Sequence, residues 1–169
     1  MKWRENCPAR CAALAFCVLA ILALTMSIGE ADAEEEGVEY ILTVSDWAYV
    51  REEPRKSSLD LGRVDAGQVV RGIGYQDGWV QVAIDFERKS GWIRADLLTL
   101  TNKTTGRYTN ISGGRARIRR TPDVNDDAKT NWLEAGKKIT VTRWLYADGA
   151  EWAVTDKGYI KSDCLEVSK

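Results

Sequence analysis

Gly91-Trp92-Ile93-Arg94-Ala95-Asp96-Leu97-Leu98 returns further along the chain as Gly158-Tyr159-Ile160-Lys161-Ser162-Asp163-Cys164-Leu165, similar in character at nearly every position. Working outward from this pair, three more blocks recur in the same order. Val50-Arg51-Glu52-Glu53-Pro54 matches Ile118-Arg119-Arg120-Thr121-Pro122, and Ala66-Gly67-Gln68-Val69-Val70 matches Ala135-Gly136-Lys137-Lys138-Ile139. Asp77-Gly78-Trp79-Val80-Gln81-Val82 corresponds to Asp148-Gly149-Ala150-Glu151-Trp152-Ala153-Val154. The repeat spans nearly seventy residues. Between the blocks lie short stretches rich in β-branched and aromatic residues, bounded by Gly, Asp, Asn and Ser clusters that favour turns. No stretch past residue 37 sustains helical periodicity over the 11 or so residues that would establish it. The fold class is all-β.

The order apolar-Arg-x-x-Pro, Gly before a β-branched strand, Trp-x-x-Val, then Gly-Trp/Tyr-Ile and a final Leu resembles the bacterial SH3 domain. The resemblance covers about residues 40–100 and again 108–167. It implies two small SH3-like barrels in tandem, 38–100 and 108–169, joined by a polar linker at 101–107. The linker sequence, Thr101-Asn102-Lys103-Thr104-Thr105-Gly106, predicts few contacts between the halves and independent folding of each. Pro54 and Pro122 fix φ and remove a ladder donor, which suits a loop leaving a short strand. Gly91 and Gly158 sit where a hairpin re-enters the sheet and call for positive φ or close backbone approach. Leu98 and Leu165 are expected to close the barrel edge. A domain of about sixty residues has a thin core, so Trp79, Trp92 and Trp152 are expected to supply much of it.

Ahead of the repeat, Lys2, Arg4 and Arg10 precede an apolar run from Cys11 to Leu24, with Ala31-Asp32-Ala33 shortly after. These are the three parts of a secretory signal peptide, residues 1–33, with cleavage expected after Ala33 and an acidic leader at 34–37. The competing reading is an uncleaved anchor, the only route by which this chain would meet a membrane. It needs roughly 20 apolar residues, and Thr25 and Ser27 interrupt the run. Phe16 before Cys17 argues against a lipid anchor. Cys7, Cys11 and Cys17 leave with the signal, so Cys164 remains alone. A lone thiol in an exported protein either pairs between chains or reacts. Its alignment with Leu97 favours a small buried hydrophobe instead. The expected location is periplasmic or secreted.

The formal net charge is −1, so the overall balance calls for no nucleic acid. Histidine is absent. There is therefore no Ser-His or Cys-His pair and no histidine ligand for zinc. Bacterial SH3 domains often accompany cell-wall cysteine peptidases or amidases, but that nucleophile–base pair is missing here and no segment is left to house one. No spacing singles out two carboxylates for acid–base work. The chain is expected to be non-catalytic, with no catalytic or metal-binding residues and no cofactor.

Trp47, Tyr49 and Arg51 lie two apart, so an extended backbone presents all three on one side. Trp144 and Tyr146 repeat that spacing in the second half. Exposed rings beside a groove stack on sugar or peptide planes, while rings in so small a domain equally serve to complete the core. Arg115, Arg117 and Arg119 alternate with Ala116 and Ile118 and would form a basic ridge for an anionic glycan, a carboxylate-bearing peptide or an acidic protein face. The same pattern also suits an edge strand guarded by charge against aggregation. From Trp79 to Gly91 there are twelve positions, but from Trp152 to Gly158 only six. The added residues lengthen one hairpin of the first half and carry Phe86, a candidate contact at its tip. Asn102-Lys103-Thr104 and Asn110-Ile111-Ser112 match glycan-acceptor sequons.

Export, tandem domains and the family resemblance together imply an envelope binding protein for peptidoglycan or its stem peptides. The alternative partner is an envelope protein, with the chain acting as a periplasmic adaptor or inhibitor through the same grooves. The candidate ligand-binding residues are Trp47, Tyr49, Arg51, Phe86, Arg115, Arg117, Trp144 and Tyr146.

Overall fold

Two Asp-Gly pairs turn equivalent hairpins in the computed structural model, which describes residues 37–43, 46–84, 89–126 and 131–169. Asp77 and Gly78 have φ of 48° and 84°, and Asp148 and Gly149 have 50° and 68°. Left-handed backbone at both central residues matches the twist of the flanking strands, which is why Asp-Gly is favoured there. The first turn joins β4 (Val69–Gln76) to β5 (Trp79–Ile84), and the second joins β12 (Arg143–Ala147) to β13 (Ala150–Thr155).

The rest of the first half comprises β1 (Val38–Leu42), β2 (Trp47–Arg51), β3 (Asp60–Asp65), β6 (Lys89–Arg94) and β7 (Leu98–Leu100), with a 3₁₀ turn over Ala95–Leu97. These seven strands form one sheet in the order β3-β2-β6-β5-β4-β1-β7, with antiparallel neighbours. The second half contains β8 (Gly106–Asn110), β9 (Ala116–Ile118), β10 (Asn131–Leu133), β11 (Lys138–Val141), β14 (Gly158–Lys161) and β15 (Leu165–Val167), with a 3₁₀ turn over Ser162–Cys164. Its pairing follows the first half closely. β8 pairs with β11 and β15 as β1 does with β4 and β7, and β9 pairs with β10 as β2 does with β3. The Arg119–Tyr159 bridge stands where Arg51 pairs with Trp92. The long strand β4 is represented by two strands, β11 and β12, separated at Thr142, so three small sheets replace the single large one. Among the described residues there is no α-helix, and none forms a helix long and apolar enough to cross a membrane. The expected signal segment (1–33), most of the acidic leader and Phe86 lie outside the described residues.

Strand alternation builds the core. Ala48, Val50, Val80, Val82 and Ile93 point inward in the first half, and Ala116, Ile118, Ala153 and Ile160 do so in the second. Leu98 and Leu165 are buried at the final strands. A Cβ on Gly158 would run into the Arg119 carbonyl, and its φ of 131° is left-handed besides. Gly91 needs only the close approach, because a Cβ there would strike the Val50 side chain. Of the three tryptophans expected in the core, only Trp152 is fully enclosed, with its indole Nε1–H donating to the Ala147 carbonyl at 2.9 Å. Trp79 and Trp92 are half-exposed on the outer face of the sheet.

The expectation of few contacts between halves is not met. β7 lies along β12, an edge strand whose backbone polar groups need partners. Thr99 Oγ1 accepts the Trp144 N–H at 2.9 Å. The Tyr40 hydroxyl accepts the Tyr146 N–H at 2.9 Å and donates to the Tyr146 carbonyl at 3.2 Å. Burial pushes the Tyr40 phenol well above its ordinary pKa, so this hydroxyl stays a neutral two-way link. Arg143 donates to the Asp96 carbonyl at 2.7 Å, and Lys103 pairs with Glu151 at 2.7 Å. β8 begins at Gly106, inside the segment expected to be linker. The two halves form one compact unit.

Candidate functional site

The outer face of β2 carries Trp47, Tyr49 and Arg51, opposite buried Ala48 and Val50. The two rings meet edge to face at 82°, with centroids 4.5 Å apart. The Arg51 guanidinium lies over the Tyr49 ring at 4.3 Å, and Arg63 lies over Trp47 at 5.6 Å. Arg51 is steadied by donating to the Ser58 carbonyl at 3.2 Å, while the Ser58 hydroxyl accepts the Glu53 N–H at 2.9 Å. That pair of bonds folds the Glu52–Ser58 loop back and brings Lys56 to the same cleft. Trp79, Arg94 and Leu97 complete it, enclosing about 370 Å³.

The structure thus brings three of the sequence-derived candidates together and separates Trp144, Tyr146, Arg115 and Arg117 from them. Trp144 is 1% exposed, so its ring offers no ligand surface. It packs edge to face on Tyr108 at 5.2 Å, and its Nε1–H donates to the Thr104 carbonyl at 2.8 Å. The spacing that suggested a surface pair failed because the Trp144 ring turns in against Tyr108 and the 101–107 segment, while its backbone N–H meets Thr99. Tyr146 is partly exposed but lines a different, inter-half recess with Tyr40 and Tyr75.

The arginine ridge is likewise not an open row of cations. Arg115 pairs with Glu134 at 3.1 Å, and Arg117 lies over the Trp132 ring at 5.2 Å. Arg119 donates to the Asp126 carbonyl at 2.8 Å and lies over Trp152. Alternation predicted their direction correctly but could not show what stands opposite.

Trp79, Lys56, Arg94 and Leu97 were missed as site residues. The signal for Trp79 was present, since buried Val80 places its predecessor on the outer face. Lys56 had none, because only the loop closure brings it in.

Two other readings gain geometry here. Asn110 is buried, donating to the Gly114 and Leu133 carbonyls and accepting from Ser112, so its amide is committed to the fold and closed to glycosylation. Cys164 is half-buried, with its thiol donating to Asp163 Oδ1 at 3.5 Å. Burial first, then the Asp163 charge, pushes the thiol pKa up, which lowers the thiolate fraction at neutral pH. Alkylation by iodoacetamide is expected to run several-fold slower than for free cysteine at pH 8, with its pH profile displaced upward. A rate equal to that of free cysteine would show an open thiol instead.

Residues 37–99, the half that carries the aromatic cleft, match the bacterial SH3 domain. Two solved structures from Trichomonas vaginalis are similar at low identity. One, titled "Structure of NlpC2 from Trichomonas vaginalis", is 18% identical with a TM-score of 0.35, over 80% of this chain and 50% of that one. The other, titled "Structure of NlpC1 from Trichomonas vaginalis", is 17% identical with a TM-score of 0.37, over 82% and 48%. The chain spans about half the length of each. No curated protein matches it.

Proposed function

We propose that this protein is an exported, non-catalytic binding module that recognises peptidoglycan or its stem peptides in the cell envelope. The second half, whose strands pair as those of the first do, is read as another bacterial SH3-like domain that serves mainly as a scaffold. Bacterial SH3 domains often bind cell-wall components, and the observation that carries the reading is the Trp47–Tyr49–Trp79 cleft with its cationic rim. Partly exposed rings at a concave surface give large contact area at little entropic cost. Export rests on the basic, apolar and small-residue parts of 1–33.

The test is retention on purified wall sacculi. The double variant Trp47→Ala/Tyr49→Ala is expected to weaken binding at least about thirtyfold, the scale of losing an aromatic hot spot. Its circular dichroism should stay native, because neither ring is in the core. Arg115→Ser should bind as the parent does. Undiminished retention of the double variant would remove the cleft from the interface.

A second reading has its own observation. Leu61 and Val69 are 44% and 54% exposed beside the free edge of β3, along an open groove of about 760 Å³. A polypeptide partner adding to that edge would make the protein an adaptor or inhibitor. Capture of an envelope protein in preference to sacculi, abolished by Leu61→Lys, would favour it.

A further inference from the structure

A sugar stacks on an aromatic face, and the faces of Trp47 and Tyr49 are largely taken. Trp47 and Tyr49 have four faces between them. Arg51 covers one of Tyr49, Arg63 covers one of Trp47, and the edge-to-face contact uses a third. What the cleft offers instead is positive charge beside apolar ring edges. Arg51 has the Ser58 carbonyl and the Tyr49 ring as its contacts, Arg63 has the Trp47 ring, and Lys56 has no ion pair among the described residues. Among the described residues, none of the three forms an ion pair with a carboxylate. Of the acids in this region, Glu53 pairs with Arg55, and Asp96 pairs with Arg94 at the cleft wall, which leaves Arg51 and Lys56 as the cleft's cations without an acid among the described residues.

The second half shows the contrast at equivalent strand positions. Arg115 stands where Trp47 does, and it is already neutralised by Glu134. Arg119, which stands where Arg51 does, has the same kind of contacts, a donor on the Asp126 carbonyl and a place over the Trp152 ring, but that ring is enclosed and offers no apolar edge to a ligand. Unmatched cations bordering a concave, half-apolar surface draw an anion, and guanidinium and ammonium groups hydrogen-bond carboxylate oxygens most strongly.

We infer that the first-half cleft selects a peptide bearing a free carboxylate, held by Lys56 and Arg51 with its apolar part against the Trp47, Tyr49 and Trp79 edges. This rests on the reading of the cleft as the binding site. At about 370 Å³ it has room for one or two residues of such a peptide, not for an extended chain.

The experiment follows tryptophan fluorescence of the exported chain during titration with acetyl-trialanine as the free acid and, separately, as the carboxamide. A parallel arm measures retention on native sacculi and on sacculi whose carboxyl groups have been amidated. The acid should bind at least tenfold more tightly than the amide, and the preference should shrink as salt is raised. Lys56→Gln, a change at an exposed loop position, should bring the acid close to the level of the amide while leaving the fold intact. Amidation should lower retention on sacculi by a similar factor. Equal affinity for acid and amide, or no binding of the acid, overturns the carboxylate inference. The sacculus arm judges the wall reading separately, since a protein that takes the acid peptide but ignores sacculi keeps the inference and loses the wall.

Discussion

Replacing Trp144 by alanine is expected to cost about 3–5 kcal/mol, the range for deleting a large enclosed aromatic. The ring is 1% exposed and stacked edge to face on Tyr108, with Lys103 over its face at 5.4 Å. Removing it opens a cavity and also strips the Thr104 carbonyl of its indole donor. For a unit of this size the melting temperature should fall by roughly 10–20 °C. Trp144→Phe should recover most of the packing but not the hydrogen bond. Thermal melts followed by circular dichroism provide the check, with sacculus retention measured well below the transition. Retention should survive, since the cleft is built on β2 and β5. A variant that melted like the parent but lost binding would return Trp144 to the ligand surface.

The second large effect concerns the unity of the two halves. Residues 107–169 expressed alone are expected to show no cooperative melt. Without the first half, the Trp144 and Tyr146 N–H groups lose Thr99 and Tyr40, and Trp144 loses the cover of the linker. What remains is a set of sheets of two or three strands, a size that is marginal in water without further packing. Chemical-shift dispersion and a denaturant titration would decide it. A sharp transition near that of the full chain would mean that the interface is incidental to the stability of the second half.

Much of this was legible in the residues. The repeated Gly-aromatic-Ile block, the two Asp-Gly turns and the period-2 burial of Ala48/Val50 and Ala116/Ile118 all follow from local rules. A turn type demands particular φ values and a strand alternates its faces, so neighbours in sequence suffice to predict them. The same alternation put Trp47, Tyr49 and Arg51 on one face, and they do line one cleft. It also aimed the 115–119 arginines outward, as found.

What local rules cannot convey is the partner across the gap. Trp47-Ala48-Tyr49 and Trp144-Leu145-Tyr146 share a spacing, yet the first two rings line one open cleft, while Trp144 is enclosed against Tyr108 and Tyr146 borders a separate recess. The ridge of arginines read as open charge because Glu134 and Asp126 reach it only through folding. Lys56 joins the cleft only because Ser58 ties its loop back. The linker looked solvent-exposed by composition, but the edge strand β12 needed donors and acceptors that only the first half could supply. Residue type and order determined an all-β chain with a duplicated strand plan and an aromatic β2 face. Tertiary structure alone decided which rings remain open, which cations remain unmatched and whether the halves stand apart, because each depends on what packs opposite a side chain rather than on what precedes it.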